Sequence, residues 1–112
     1  MIGMGLQSEF YYYMLNGNKR IEVRLYDDKR KNIKLGDTIK FMLEPDRKEY
    51  FYAKVIGLLR YNSFNDLLND IDISLVAPSR YDKNSFINEL EKYYPKDKQL
   101  KYGIIGIRIE LL

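Results

Sequence analysis

Four stretches of this chain alternate apolar and polar residues with a period of two, and that alternation constrains the fold more than any other feature. From Lys19 to Tyr26, Ile21, Val23 and Leu25 point one way, while Arg20, Glu22, Arg24 and Tyr26 point the other. Thr38 to Leu43 repeats the pattern with Ile39, Phe41 and Leu43 on one face. Glu49 to Tyr61 reads as a long strand with Phe51, Ala53, Val55 and Leu59 on a common face, and Gly57 marks a place for a bulge or bend. Tyr102 to Leu111 sets Ile105, Ile107, Ile109 and Leu111 against Arg108 and Glu110. Pro45-Asp46-Arg47-Lys48 is turn chemistry, so the second and third stretches form a hairpin. Such alternation predicts a sheet with one face buried and one solvated.

Helical segments fill the gaps. Ser8 to Asn16 reads as a short helix capped by Ser8, stopped by Gly17 at a left-handed position, with Phe10, Met14 and Tyr13 toward the core. Ser63 caps a second helix whose Phe64, Leu67, Leu68 and Ile71 fall at helical spacing. Ile73 to Arg80 is irregular. A third helix runs from Asn84 to Tyr94, buries Phe86, Ile87, Leu90 and Tyr94, and stops at Pro95. Helices do not alternate regularly with strands, which argues against a doubly wound parallel sheet. The expected fold is α+β and mainly β: a small mixed β-barrel or strongly curved sheet of five to six strands with two to three flanking helices, forming a single domain over residues 1–112.

The chain has no Cys and no His, which removes thiol nucleophiles, disulfides, zinc sites of the Cys/His kind and imidazole acid–base chemistry. Asp66, Asp70 and Asp72 match no EF-hand spacing and read as a solvated face, so no metal or cofactor is expected. No apolar run is long enough to span a bilayer and no signal-peptide pattern opens the chain, so no membrane contact and a cytoplasmic location are the expectation. The net charge of +3 is unevenly placed. Residues 19–48 hold ten Lys/Arg and six Asp/Glu, and the other 82 residues hold nine and ten. A clustered basic segment suits a phosphate backbone, although a self-paired solvated loop would look the same.

Within that segment lies Gly17-Asn18-Lys19-Arg20-Ile21-Glu22-Val23-Arg24. Glu22 and Arg24, two apart on a strand, share a face, and Lys19 stands at the strand entrance. A carboxylate between two cations is held ionised and oriented. A solvent-facing strand with exposed ion pairs, worth about 0–1 kcal/mol each, is the plainer reading of the same spacing.

The pattern Gly-x-Lys-x-x-Glu-x-Arg resembles the signature of the ASCH domain, a branch of the PUA-like superfold. Arg24-Leu25-Tyr26-Asp27, then Lys34-Leu35-Gly36-Asp37-Thr38-Ile39-Lys40-Phe41, resemble the family's basic loop and following strand. Tyr102-Gly103-Ile104-Ile105-Gly106-Ile107-Arg108-Ile109 resembles its last strand. The resemblance spans roughly Ser8 to Glu110, with Ser63 to Lys98 alike in helical character only. It implies a barrel with helices beside it forming a cleft, lined by Lys19, Glu22 and Arg24, with RNA or a modified nucleotide or nucleoside as partner. Arg24 or Lys19 would contact phosphate, and Glu22 would accept from a base amino group or orient Arg24. Gly17 would shape the entrance, and Lys29, Arg30, Lys31 and Lys34 would extend a backbone track.

Some short members of the family resemble amidohydrolases acting on N-acylated cytidine, through a Lys, a Thr three positions later and a distant Glu. Lys19 fits the Lys, but Glu22 stands at the Thr position, and Ser79-Arg80-Tyr81-Asp82, where the Glu would fall, has none. The alternative to a binding module is thus a small hydrolase, amidohydrolase or ribonuclease, with Lys19 and Glu22 as the catalytic pair. Tyr26 is the best base-stacking candidate, one of Tyr11, Tyr12 and Tyr13 is a second, and Arg80 and Tyr81 join the site if their loop folds over the cleft. The oligomeric state is left open.

Overall fold

The alternating stretches become neighbouring strands of one curled sheet. The computed structural model describes residues 1–112. Its elements are β1 (Ile2–Leu6), α1 (Ser8–Leu15), β2 (Ile21–Leu25), β3 (Thr38–Leu43), β4 (Tyr50–Tyr61), α2 (Phe64–Asp70), a 3-10 turn at Ile73–Leu75, α3 (Lys83–Tyr93), α4 (Lys96–Tyr102) and β5 (Ile104–Leu111). The strand order is β1-β3-β4-β5-β2. β1 lies parallel to β3, and the other pairs are antiparallel. The sheet is a half-barrel: its edge strands, β1 and β2, do not pair, and a side chain bridges the seam between them.

Two cores lie on opposite faces of this sheet. Inside the curl, Met4, Ile39, Phe41, Val55, Ile105 and Ile107 pack together, closed off by Tyr11 and Met14 of α1. On the outer face of the β2–β5 half, Ile21, Val23, Leu25 and Ile104 meet Phe64 and Leu67 of α2, Phe86 of α3, and Val76. Each fully buried side chain of this size contributes about 1.5–3 kcal/mol. No helix is long and apolar enough to cross a membrane.

Most expected elements appear, with four differences. β1 was not expected. It obeys the same period of two, with Ile2, Met4 and Leu6 against Gly3 and Gly5, but its glycines carry little strand propensity. α1 starts at Ser8 with Gln7 in the cap position, so Ser8 does not cap it, and Tyr11 rather than Phe10 or Tyr13 is buried beside Met14. On β4 the register shifts between Val55 and Gly57. The extra residue swaps the faces beyond it, so Leu58 joins the inner core and Leu59 the outer one. Finally, Tyr102 ends a fourth helix, α4, rather than opening the last strand, which starts after Gly103 at positive φ.

Candidate functional site

The site begins where α1 ends. Gly17 adopts φ +86°, a conformation that favours glycine, and the backbone N–H groups of Asn18 and Lys19 both donate to the Tyr13 carbonyl. This turn drives Lys19 inward. Its side chain is 2% exposed, although it is a lysine. Nζ donates to the carbonyls of Ile21 at 2.9 Å and Val76 at 2.6 Å and lies 3.3 Å from Glu22 Oε1. An ammonium has three N–H donors, and three oxygens take them.

Glu22 and Arg24 do share a face, but it is the inner face of the curl, not a solvated one. Their partners on β5 are Ile107 and Ile105, both core residues. The alternation rule fails on this strand because the sheet bends around it, and a second core covers its other side. Glu22 is 6% exposed. Its Oε2 accepts from Arg24 Nε at 2.8 Å, and Arg24 Nη2 donates to the Gly5 carbonyl on β1 at 2.8 Å. The Lys19–Glu22–Arg24 chain thus ties α1, β2 and the Val76 loop to β1 across the open seam.

Electrostatics follow from burial. Burial alone would raise the Glu22 carboxyl, but Arg24 and Lys19 outweigh it and hold it below its ordinary value. Burial pulls the Lys19 ammonium down against the opposing pull of Glu22. Burial would also lower Arg24, yet Glu22 and the neighbouring Tyr94 phenol raise it. The bonds of the network are those of one carboxylate between two cations.

Above this network opens a cavity of about 200 Å³. Its floor is Lys19, Glu22 and Arg24, and its far wall is α3, through Phe86, Glu89, Leu90 and Tyr93, with Tyr94 just beyond the end of the helix. Phe10 and Glu44 complete the rim. The volume is below the roughly 300–1,000 Å³ of drug-sized ligand sites and suits one base or nucleoside. Three carboxylates line it, Glu22, Glu44 and Glu89, and both of its basic side chains already hold carboxylate.

The remaining sequence candidates lie around this cavity or away from it. Gly17 flanks a separate groove with Arg20 and Arg108. Tyr26 lies outside the cleft, and the Arg60 guanidinium covers its ring at 3.4 Å from the centroid. Arg30 is held by Asp27 at 2.8 Å and Lys31 by Asp28 at 3.6 Å, while Lys29 is exposed. Arg80 grips Glu9 through two nitrogens, and Tyr81 is buried with its hydroxyl 2.5 Å from Glu9 and its ring stacked on Phe10. Arg80 and Tyr81 therefore brace the Phe10 wall rather than enter the cavity. The sequence reading missed Gly5, Glu44 and Glu89. Loop 79–82 supplies no Glu, but Glu89 reaches the same cleft from α3.

The ionisable groups set a pH profile. Glu22, Glu44, Asp72 and Asp82 are all held below their ordinary values, the first by its cations against burial, Glu44 by Arg47, and the two aspartates by hydrogen bonds from Ser74 and Ser85. Their stabilisation is complete above the ordinary carboxylate range and is lost as pH falls through their lowered values. Burial and bonds to Asp70 and Glu9 push Tyr61 and Tyr81 up to about 12, so their share is complete below pH 10 and lost as pH rises toward 12. With no histidine, the thermal midpoint is expected to be flat from about pH 5 to 8 and to fall on the acid side. A calorimetric pH series checks this; a step near pH 6 would contradict it.

The fold recurs among solved structures. No protein with a curated description is significantly similar. Among solved structures, the crystal structure of the hypothetical protein PH0355 is 35% identical, covers 98% of this chain and 97% of its own, and superposes with a TM-score of 0.86. The solution structure of protein PF0455 from Pyrococcus furiosus is 34% identical, with 99% and 96% covered and a TM-score of 0.77. The ASCH protein of Zymomonas mobilis shares the fold at 13% identity, with 96% of this chain and 65% of that one covered and a TM-score of 0.63. Its fold is PUA-like. The family model of the ASCH domain matches residues 4–112, a span that takes in β1 from Met4 onward, the seam and every residue of the cleft, so the chain belongs to the ASCH domain family.

Proposed function

We propose that this protein is a binding module for RNA or a modified nucleoside, and that the cleft over Lys19, Glu22 and Arg24 receives a single base. The family is one proposed to bind RNA. The observation that carries the reading is the buried, ionised Glu22 carboxylate at the floor of a base-sized cavity walled by Phe10, Phe86 and Tyr94. One oxygen faces Lys19 and the other Arg24, and the remaining lone pairs accept from an exocyclic amino group. Phosphate would stay outside, because Glu44 and Glu89 line the cleft. Lys19 serves here as a positioning residue: its three donors are occupied, so it holds Glu22 rather than attacking a substrate.

The test is a calorimetric titration with cytidine and adenosine against uridine and inosine. Amino-bearing nucleosides are expected to bind at least about tenfold more tightly than their partners, because uridine and inosine keep a ring N–H but turn a carbonyl acceptor toward the carboxylate where cytidine and adenosine present the amino donor. Leu90→Trp, which fills the cleft from α3, is expected to remove binding while the fold persists. Equal affinity for all four, or none for any, would refute the assignment. Release of product from N-acylated cytidine, lost in Lys19→Met, would instead establish the hydrolase reading.

A further inference from the structure

Part of the sheet's outer face lies apart from the cleft. Helices α2 and α3 cover only the β2–β5 half of the outer surface. Over β3 and the Tyr50–Lys54 part of β4 no helix covers it. Tyr50 and Tyr52, alternate residues of β4, stand 50% and 37% exposed. Their rings meet edge to face at 5.7 Å between centroids, and Lys40 of β3 lies 4.2 Å from the Tyr50 centroid. Lys40 pairs with Tyr52 across the strands, and Lys54 continues the line one step along β4. β1 presents Gly3 beside Lys40, and the side chain of Met42, the partner of Tyr50 on β3, lies over that glycine.

Beyond Lys54 the face runs into a groove of about 400 Å³ flanked by Arg20, Ile56, Arg108 and Glu110. Along this track four cations, Arg20, Lys40, Lys54 and Arg108, accompany one carboxylate, Glu110, which sits opposite Lys54. The cleft has the reverse balance. Exposed aromatics on an open sheet, with cations placed beside them, are the elements that stack unpaired bases and neutralise the intervening phosphates. A duplex buries the faces of its bases and could use only the cations.

We infer that the outer face of β3 and β4 binds single-stranded RNA, with bases stacked on Tyr50 and Tyr52 and the backbone running past Lys40 and Lys54 toward the Arg20–Arg108 groove. The choice of RNA rests on the reading of the cleft above; the placement does not. The two surfaces divide the labour, one reading a base and the other holding the strand.

The experiment is fluorescence anisotropy of a labelled, unstructured RNA decamer with the full chain over a salt series. The parent protein is expected to bind with a steep salt dependence. Lys40→Gln with Lys54→Gln should make the slope of log K against log salt shallower by about 1.4, from about 0.7 per phosphate contact on a single strand. Tyr50→Ser with Tyr52→Ser should weaken binding at least tenfold with the slope unchanged. Neither pair should alter nucleoside binding in the cleft, because none of the four residues lines it. Leu90→Trp should leave the slope intact. Decamer binding unaffected by either pair, or absent altogether, overturns the proposal whatever the nucleoside titration shows. A decamer lost only in Leu90→Trp would place the strand in the cleft and also overturn it.

Discussion

Glu22→Leu is expected to lower the free energy of unfolding by about 3–5 kcal/mol, enough to unfold much of a domain this size at physiological temperature. The substitution removes no large apolar contact. Its cost lies in what it leaves behind. Lys19 and Arg24, with side chains 2% and 13% exposed, would face each other across a buried gap without the carboxylate that separates them. Desolvation of an uncompensated ion exceeds the value of any one hydrogen bond. Glu22→Gln tests the same point with the shape preserved: the amide can still accept from Arg24, but the two positive charges remain unneutralised. Denaturant titration reads both variants. A loss below about 1 kcal/mol for Glu22→Leu would show that the network is hydrated and that the burial argument is wrong.

The triple variant Lys19→Met, Glu22→Leu, Arg24→Met is expected to recover most of that loss and to fold within about 2 kcal/mol of the parent. Replacing a complete buried ion cluster by apolar side chains is often neutral, whereas removing one member is not. Some cost remains, because the Ile21 and Val76 carbonyls lose the Lys19 donor and the Gly5 carbonyl loses Arg24. Nucleoside binding, by contrast, should fall by at least about 30-fold, or about 2 kcal/mol, since the floor of the cleft is gone. Stability restored with binding lost would separate the two roles of the motif and show that the charges are retained for recognition. Binding that survived in a folded triple variant would remove these residues from the site.

Much of this was legible in the sequence, and the failures have physical causes. The hairpin of β3 and β4, the bulge at Gly57, the Ser63 cap and the stop at Pro95 follow from local chemistry that tertiary contacts did not override. The sequence also showed a carboxylate between two cations. The curved sheet was expected from the alternation, but a curl that brings β1 and β2 face to face was not, because β1 was not expected and the arrangement depends on strands far apart in the chain. Without the curl, Glu22 and Arg24 read as a solvated face. The apolar face of α3 was legible as packing, yet nothing local indicated that Leu90 and Tyr94 would also wall a cleft opposite Glu22. β1 was lost for a simpler reason. Gly3 and Gly5 depress strand propensity, although Gly5 is where Arg24 reaches across the seam.

The central claim is that Glu22, held ionised by its two buried cations, accepts from a base seated in the cleft. Backbone amide spectra of labelled protein, titrated with cytidine and then with uridine, address it most directly. Cytidine is expected to shift the amides of Glu22, Val23 and Arg24 together with those of Leu90 to Tyr94 on α3, at concentrations where uridine shifts them little. Shifts confined to other surfaces, or identical responses to the two nucleosides, would contradict it.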